Sequence, residues 1–132
     1  MKRKGFTLLE LMIVVAILGL LSVISIPKFA ELLERSREGA TKGNISALRS
    51  AISIYYSQNE GVWPVDLTTS FSNFIAAIPP AKATPLGNST NVALVSAAPV
   101  SEGTGWAYLQ SGGLIWVNST ATDTKGTSFT TY

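Results

Sequence analysis

Residues 11–26, LMIVVAILGLLSVISI, contain no charge, and this run limits what the chain can become. Counted from Phe6, the apolar segment has 21 residues (6–26). A helix needs roughly 20 residues to cross about 30 Å of hydrocarbon. Two neighbours are unexpected for a plain anchor. A carboxylate, Glu10, stands on the front edge of the run, and Gly5 follows directly on Lys2, Arg3 and Lys4.

The apolar weight of the chain, 46% of its 132 residues, is concentrated in that segment. The remainder reads as ordinary soluble sequence, enough for one modest domain. Three of the ten basic residues lie in the first four positions; without them seven remain against eight acidic residues. Downstream, Lys28, Arg35, Arg37, Lys42 and Arg49 alternate with Glu31, Glu34 and Glu38, so net charge gives no reason to expect a nucleic-acid partner. Cysteine and histidine are absent. Their absence excludes disulfide staples, Cys or His nucleophiles, Ser-His chemistry and zinc or haem sites with the usual ligands. No catalytic residue, metal site or cofactor is therefore expected, and a membrane-tethered enzyme has no nucleophile and base behind it.

A cleaved secretory signal would need small residues around a cut after the apolar run, but Ser25-Ile26-Pro27-Lys28-Phe29 stands there. A membrane anchor fits better, with Lys2, Arg3 and Lys4 holding the N-terminus on the cytoplasmic side. Thr7-Leu-Leu-Glu10 matches the S/T-x-x-E capping box, which gives Glu10 a local use at a helix start. Gly5 and Phe6 remain unexplained by an anchor alone.

The stretch KRKGFTLLELMIVVAILGLL resembles the N-terminus of type IV pilins and type II secretion pseudopilins, the class III signal peptide family. The resemblance implies a basic leader, residues 1–5, cut by prepilin peptidase between Gly5 and Phe6. It also implies N-methylation of Phe6 and a functional carboxylate at Glu10. YYSQNEGVWPVDL, residues 55–67, is similar to the family where its helix gives way to a short polar loop. A carboxylate deep in a bilayer costs roughly 2.5–3.5 kcal/mol and needs a partner. In a packed bundle that partner is the α-amine of Phe6 on a neighbouring subunit, and their pairing would set register. Gly19 lets a neighbouring helix approach and Pro27 removes a helix hydrogen bond, so both are expected to give the helix flexibility.

The family's fold is α+β: a long N-terminal helix packed on a small C-terminal antiparallel sheet. Residues 6–27 would form the transmembrane or filament-core half of the helix and 28–57 an amphipathic half. Phe29, Leu32 and Leu33 open that half, and Ile45, Leu48, Ile52, Tyr55 and Tyr56 continue it at helical spacing. Glu31/Arg35, Glu34/Arg37 and Glu38/Lys42 read as pairs on a solvated face. Gly61 and Trp63-Pro64 mark the helix stop.

Residues 58–132 form the head. Its expected strands are 91–96, 105–110 and 114–118, the last two joined across Ser111-Gly112-Gly113. Trp106, Tyr108, Ile115, Trp116 and Val117 are the expected packing residues. The tail from Asn118 is polar and reads as an edge strand or an exposed end.

Two departures from the family stand out. The disulfide of many type IV pilins is impossible here, and past Asp66 only Glu102 and Asp123 remain to build the calcium site of major pseudopilins. The expected function is a structural subunit of a type IV pilus. The alternatives are a type II secretion pseudopilin and a monomeric membrane-anchored binding domain. The implied partners are other copies of the chain, prepilin peptidase, the inner-membrane assembly machinery, and membrane lipid before assembly. The implied location is the inner membrane, then a surface filament or periplasmic pseudopilus.

Overall fold

The computed structural model describes residues 5–69 and 71–132; Lys2, Arg3 and Lys4 of the expected leader lie outside the described residues. The chain divides into two compact units, Met1–Leu33 and Glu34–Tyr132. Helix α1, Leu8–Gln58, contributes its first part to one and the rest to the other. In the first unit every described residue from Gly5 to Leu33 is exposed.

In the second unit α1 has one buried face. Glu38, Thr41, Ile45, Leu48, Ala51 and Ile52 recur every three or four residues and lie inside. Thr41 ties that face to the chain beyond it. Its Oγ1 donates to the Arg37 carbonyl at 2.9 Å and accepts the Lys82 and Ala83 amides at 2.9 and 3.2 Å. The buried hydroxyl thus satisfies two backbone amides of the chain beyond the helix.

The helix stops where the sequence predicts. Glu60 and Gly61 adopt left-handed φ values of 55° and 84°, and the Gly61 amide donates to the Tyr56 carbonyl at 3.0 Å. This is the six-to-one bond of a left-handed helix cap. Trp63 then stacks on Tyr56 with ring centroids 3.9 Å apart.

Strands β1, Val92–Leu94, β2, Trp106–Leu109, and β3, Leu114–Val117, form one sheet in that order. The β2–β3 hairpin pairs Trp106 with Val117 and Leu109 with Leu114, as the Gly-rich signal predicts. Its turn, Gln110–Gly112, ends on Gly113 at φ 62°. A Cβ there would collide with the Trp63 ring, so this position requires glycine twice over.

The α+β class holds, but the sheet is mixed. β1 runs parallel to β2, with Val92 opposite Trp106 and Leu94 opposite Tyr108. The fully antiparallel expectation is corrected by residues 95–105, which are numerous enough to carry the chain back to the start of the neighbouring strand.

The core gathers Ile45, Leu48 and Ile52 of α1 with Phe71, Trp106, Tyr108, Ile115, Val117 and Phe129. Four of the five expected packing residues are buried; Trp116 is half-buried. The tail also differs from expectation. It bridges back on itself at Thr122 and Ser128 and drives Phe129 into the core at 1% exposure. Burying a phenylalanine side chain is worth roughly 1.5–3 kcal/mol relative to leaving it exposed. That is ample reason for a polar segment to fold inward around one phenylalanine.

Candidate functional site

Gly5 and Phe6 precede α1, and the Phe6 side chain is 79% exposed. One turn later the helix start is capped reciprocally. The Thr7 amide and Oγ1 donate to Glu10 Oε2 at 2.8 and 2.9 Å, and the Glu10 amide donates to Thr7 Oγ1 at 3.2 Å. The capping box read from the sequence is therefore formed, and it fixes the Glu10 carboxylate at the first turn. Such a cap is worth about 0.5–2 kcal/mol of helix stability.

Around and beyond Glu10, from Leu8 through Ile26, the described apolar side chains are exposed on all sides of the helix. A helix apolar all round requires lipid or other helices around it. α1 is long and apolar enough to cross a membrane. Gly19 has open space where a Cβ would stand, and Ser22 Oγ, near it, donates to the Leu18 carbonyl at 2.7 Å. Pro27 lies inside α1. Thr7 and Glu10 are brought together, whereas Gly19 and Pro27 lie farther along the same helix.

The second unit holds a polar cluster that periodicity did not reveal. Glu38 lies buried rather than on a solvated face; its oxygens accept the Thr124 amide at 2.6 Å and the Thr124 hydroxyl at 2.8 Å. Lys42 turns instead to Asp123, 3.5 Å away, and sits 4.1 Å from the centre of the Tyr132 ring. Asp123 Oδ1 accepts the Lys125 and Thr127 amides, and Oδ2 accepts the Tyr132 hydroxyl at 2.7 Å. Arg49 Nη2 donates to the Ile115 carbonyl at 3.2 Å and to the Tyr132 carbonyl. The legible signal was Asp123-Thr-Lys-Gly126, a turn sequence whose aspartate bonds its own backbone. In a chain without cysteine, these contacts fasten the tail to α1.

The Tyr132 hydroxyl, with the Thr127 and Lys125 amides and the Lys42 charge, holds the Asp123 carboxyl down at about 2. Its ordinary value is 3.8, so the native state binds fewer protons than the unfolded chain between these values. The stabilisation is full above about pH 4 and is lost as pH falls through about 2. For Glu34, burial alone would raise the pKa, but hydrogen bonds from Thr84 and the Arg37 charge together lower it. Its contribution fades in the same direction. Thermal melts of the detergent-solubilised chain should show Tm falling on acidification, and Asp123→Asn should flatten that fall while lowering Tm at neutral pH. An unchanged acid slope in Asp123→Asn would show that Asp123 does not contribute to the acid dependence of stability.

The class these features define is a chain with one membrane-length, capped helix and an α+β head. Residues 1–26 match the prokaryotic N-terminal methylation motif. The chain is 41% identical over 96 residues to the fimbrial protein EcpC of Eikenella corrodens, covering 73% of this chain and 56% of that protein. It is 40% identical over 78 residues to the type IV major pilin protein PilA of Myxococcus xanthus, covering 59% and 33%. Against the type IV narrow pilus major component PilA5 of Thermus thermophilus it is 39% identical over 62 residues, covering 47% and 53%. The chain thus spans between a third and just over half the length of these relatives. No solved structure is significantly similar to it. The chain belongs to the type IV pilin family.

Proposed function

We propose that the chain is a structural subunit of a type IV pilus. It is made as a precursor held in the inner membrane by residues 6–26, with Lys2, Arg3 and Lys4 on the cytoplasmic side. Prepilin peptidase cuts between Gly5 and Phe6, Phe6 is N-methylated, and the new α-amine pairs with Glu10 of a neighbouring copy. The role is assembly rather than catalysis. The observation that carries this reading is the methylation motif lying on a helix apolar on every side, with one capped carboxylate at its start. A lone anchor has no use for a cleavable leader, whereas a filament subunit needs both a free amine and a carboxylate to meet it. The names of the relatives, a fimbrial protein and major pilins, favour a surface pilus over a secretion pseudopilus.

Electron microscopy with antibody against residues 58–132 tests the proposal on filaments sheared from the source cells. Label is expected along the full length of the filaments. Label confined to the cell envelope would exclude a major surface pilin.

A further inference from the structure

At the end of the head where α1 enters it, Arg37 and Lys82 line a cavity of about 490 Å³ with Thr84, Gly87 and Asn88. Arg37 shares its charge with Glu34, 3.6 Å away, and donates to Thr84 Oγ1 at 3.1 Å. The Lys82 ammonium has no carboxylate within ion-pair distance among the described residues. Two cations face one carboxylate, so the cavity carries an uncompensated positive charge.

The opposite end of the same helix segment carries the complement. From Arg37 to Gln58, α1 advances about 32 Å. There Glu60 is exposed and, among the described residues, has no ion-pair partner. Two local costs mark the position. Its φ of 55° is a left-handed conformation that a glutamate adopts rarely, and a negative charge is disfavoured at a helix C-terminus. No basic residue in the last turn offsets it. The helix cap already accounts for that backbone conformation, so it is the uncompensated charge at the helix C-terminus that calls for a partner outside the chain.

We infer that successive copies meet head to tail, with Glu60 of one copy seated at the Lys82 and Arg37 cavity of the next. The inference rests on the filament reading and adds a second contact to it, between heads rather than between apolar helices. Complementary charges on opposite ends of one head make a heterologous contact, and such a contact propagates into an open filament where the rotation does not close. Charged contacts of this kind fix register and partner choice.

Charge reversal tests the contact. Lys82→Glu and Glu60→Lys are each expected to lower sheared filament yield about tenfold at equal membrane level, and the doubly reversed chain should recover to within about twofold of the original. Because the chain has no cysteine, Glu60→Cys combined with Lys82→Cys supplies a readout independent of yield. Oxidised filaments of that chain should run as a ladder of multimers. Single reversals at the original yield, a double reversal without recovery, or oxidised filaments running only as monomers would each overturn the contact while leaving the filament reading in place. Absence of filaments from the unsubstituted chain would instead overturn the filament reading, and the contact with it.

Discussion

Glu10→Gln chains should accumulate in the membrane at normal levels and yield no filaments, even though the substitution keeps the helix cap. The glutamine carbonyl can still accept the Thr7 amide that now reaches Glu10 Oε2 at 2.8 Å, and the Glu10 amide still finds Thr7 Oγ1. Local cost is therefore below about 1 kcal/mol. What disappears is the negative charge. In the assembled filament the α-amine of Phe6 on a neighbouring subunit would be left uncompensated in an apolar setting. Removing one member of a buried pair costs about 3–5 kcal/mol, or more than roughly two orders of magnitude in adding a subunit. Sheared filament yield measured against membrane level reads this directly. If Glu10→Gln assembles normally while Glu10→Ala does not, the carboxylate serves only as a cap, and the pairing with Phe6 is wrong.

Trp106→Ala should unfold or nearly unfold the head. Trp106 is fully buried at the start of β2, between Val92 and Val117, and its Nε1 donates to the Pro79 carbonyl at 2.7 Å. Deleting such a side chain costs about 3–5 kcal/mol in lost transfer energy and cavity, and the stranded carbonyl adds about 1 kcal/mol. A domain of this size has only about 5–15 kcal/mol in total, and no disulfide holds this one together. Melts of the detergent-solubilised chain should drop by at least about 15 °C. Half-buried Trp116 is the control, and Trp116→Ala should cost distinctly less. A shift under about 5 °C for Trp106→Ala would mean that the core does not depend on this ring.

The parts of the fold that could be read in advance are those set by short-range chemistry. The membrane-length run, the Thr7–Glu10 cap, the helix stop at Gly61 and the hairpin through Gly113 each depend on residues within a few positions of one another. The parallel pairing of β1 with β2 depends on where an intervening loop can carry the chain, which no local pattern encodes. Glu38 looked solvated because its spacing to Lys42 suits an exposed pair. Its actual partner, Thr124, lies 86 residues away, and Lys42 is drawn off to Asp123 and Tyr132. Phe129 stands alone in a polar tail, so no periodicity announces its burial. At the candidate site the division is similar. The motif on Gly5, Phe6 and Glu10 is contiguous and legible, whereas the charge complement of Glu60 and Lys82 emerges only once the head is folded.

Intact mass and N-terminal sequence of the subunit recovered from sheared filaments decide whether the chain is processed and assembled in this way. The expected chain begins at N-methylated Phe6, with Met1 through Gly5 absent. A filament subunit that still carried its first five residues, or that began elsewhere, would contradict this processing.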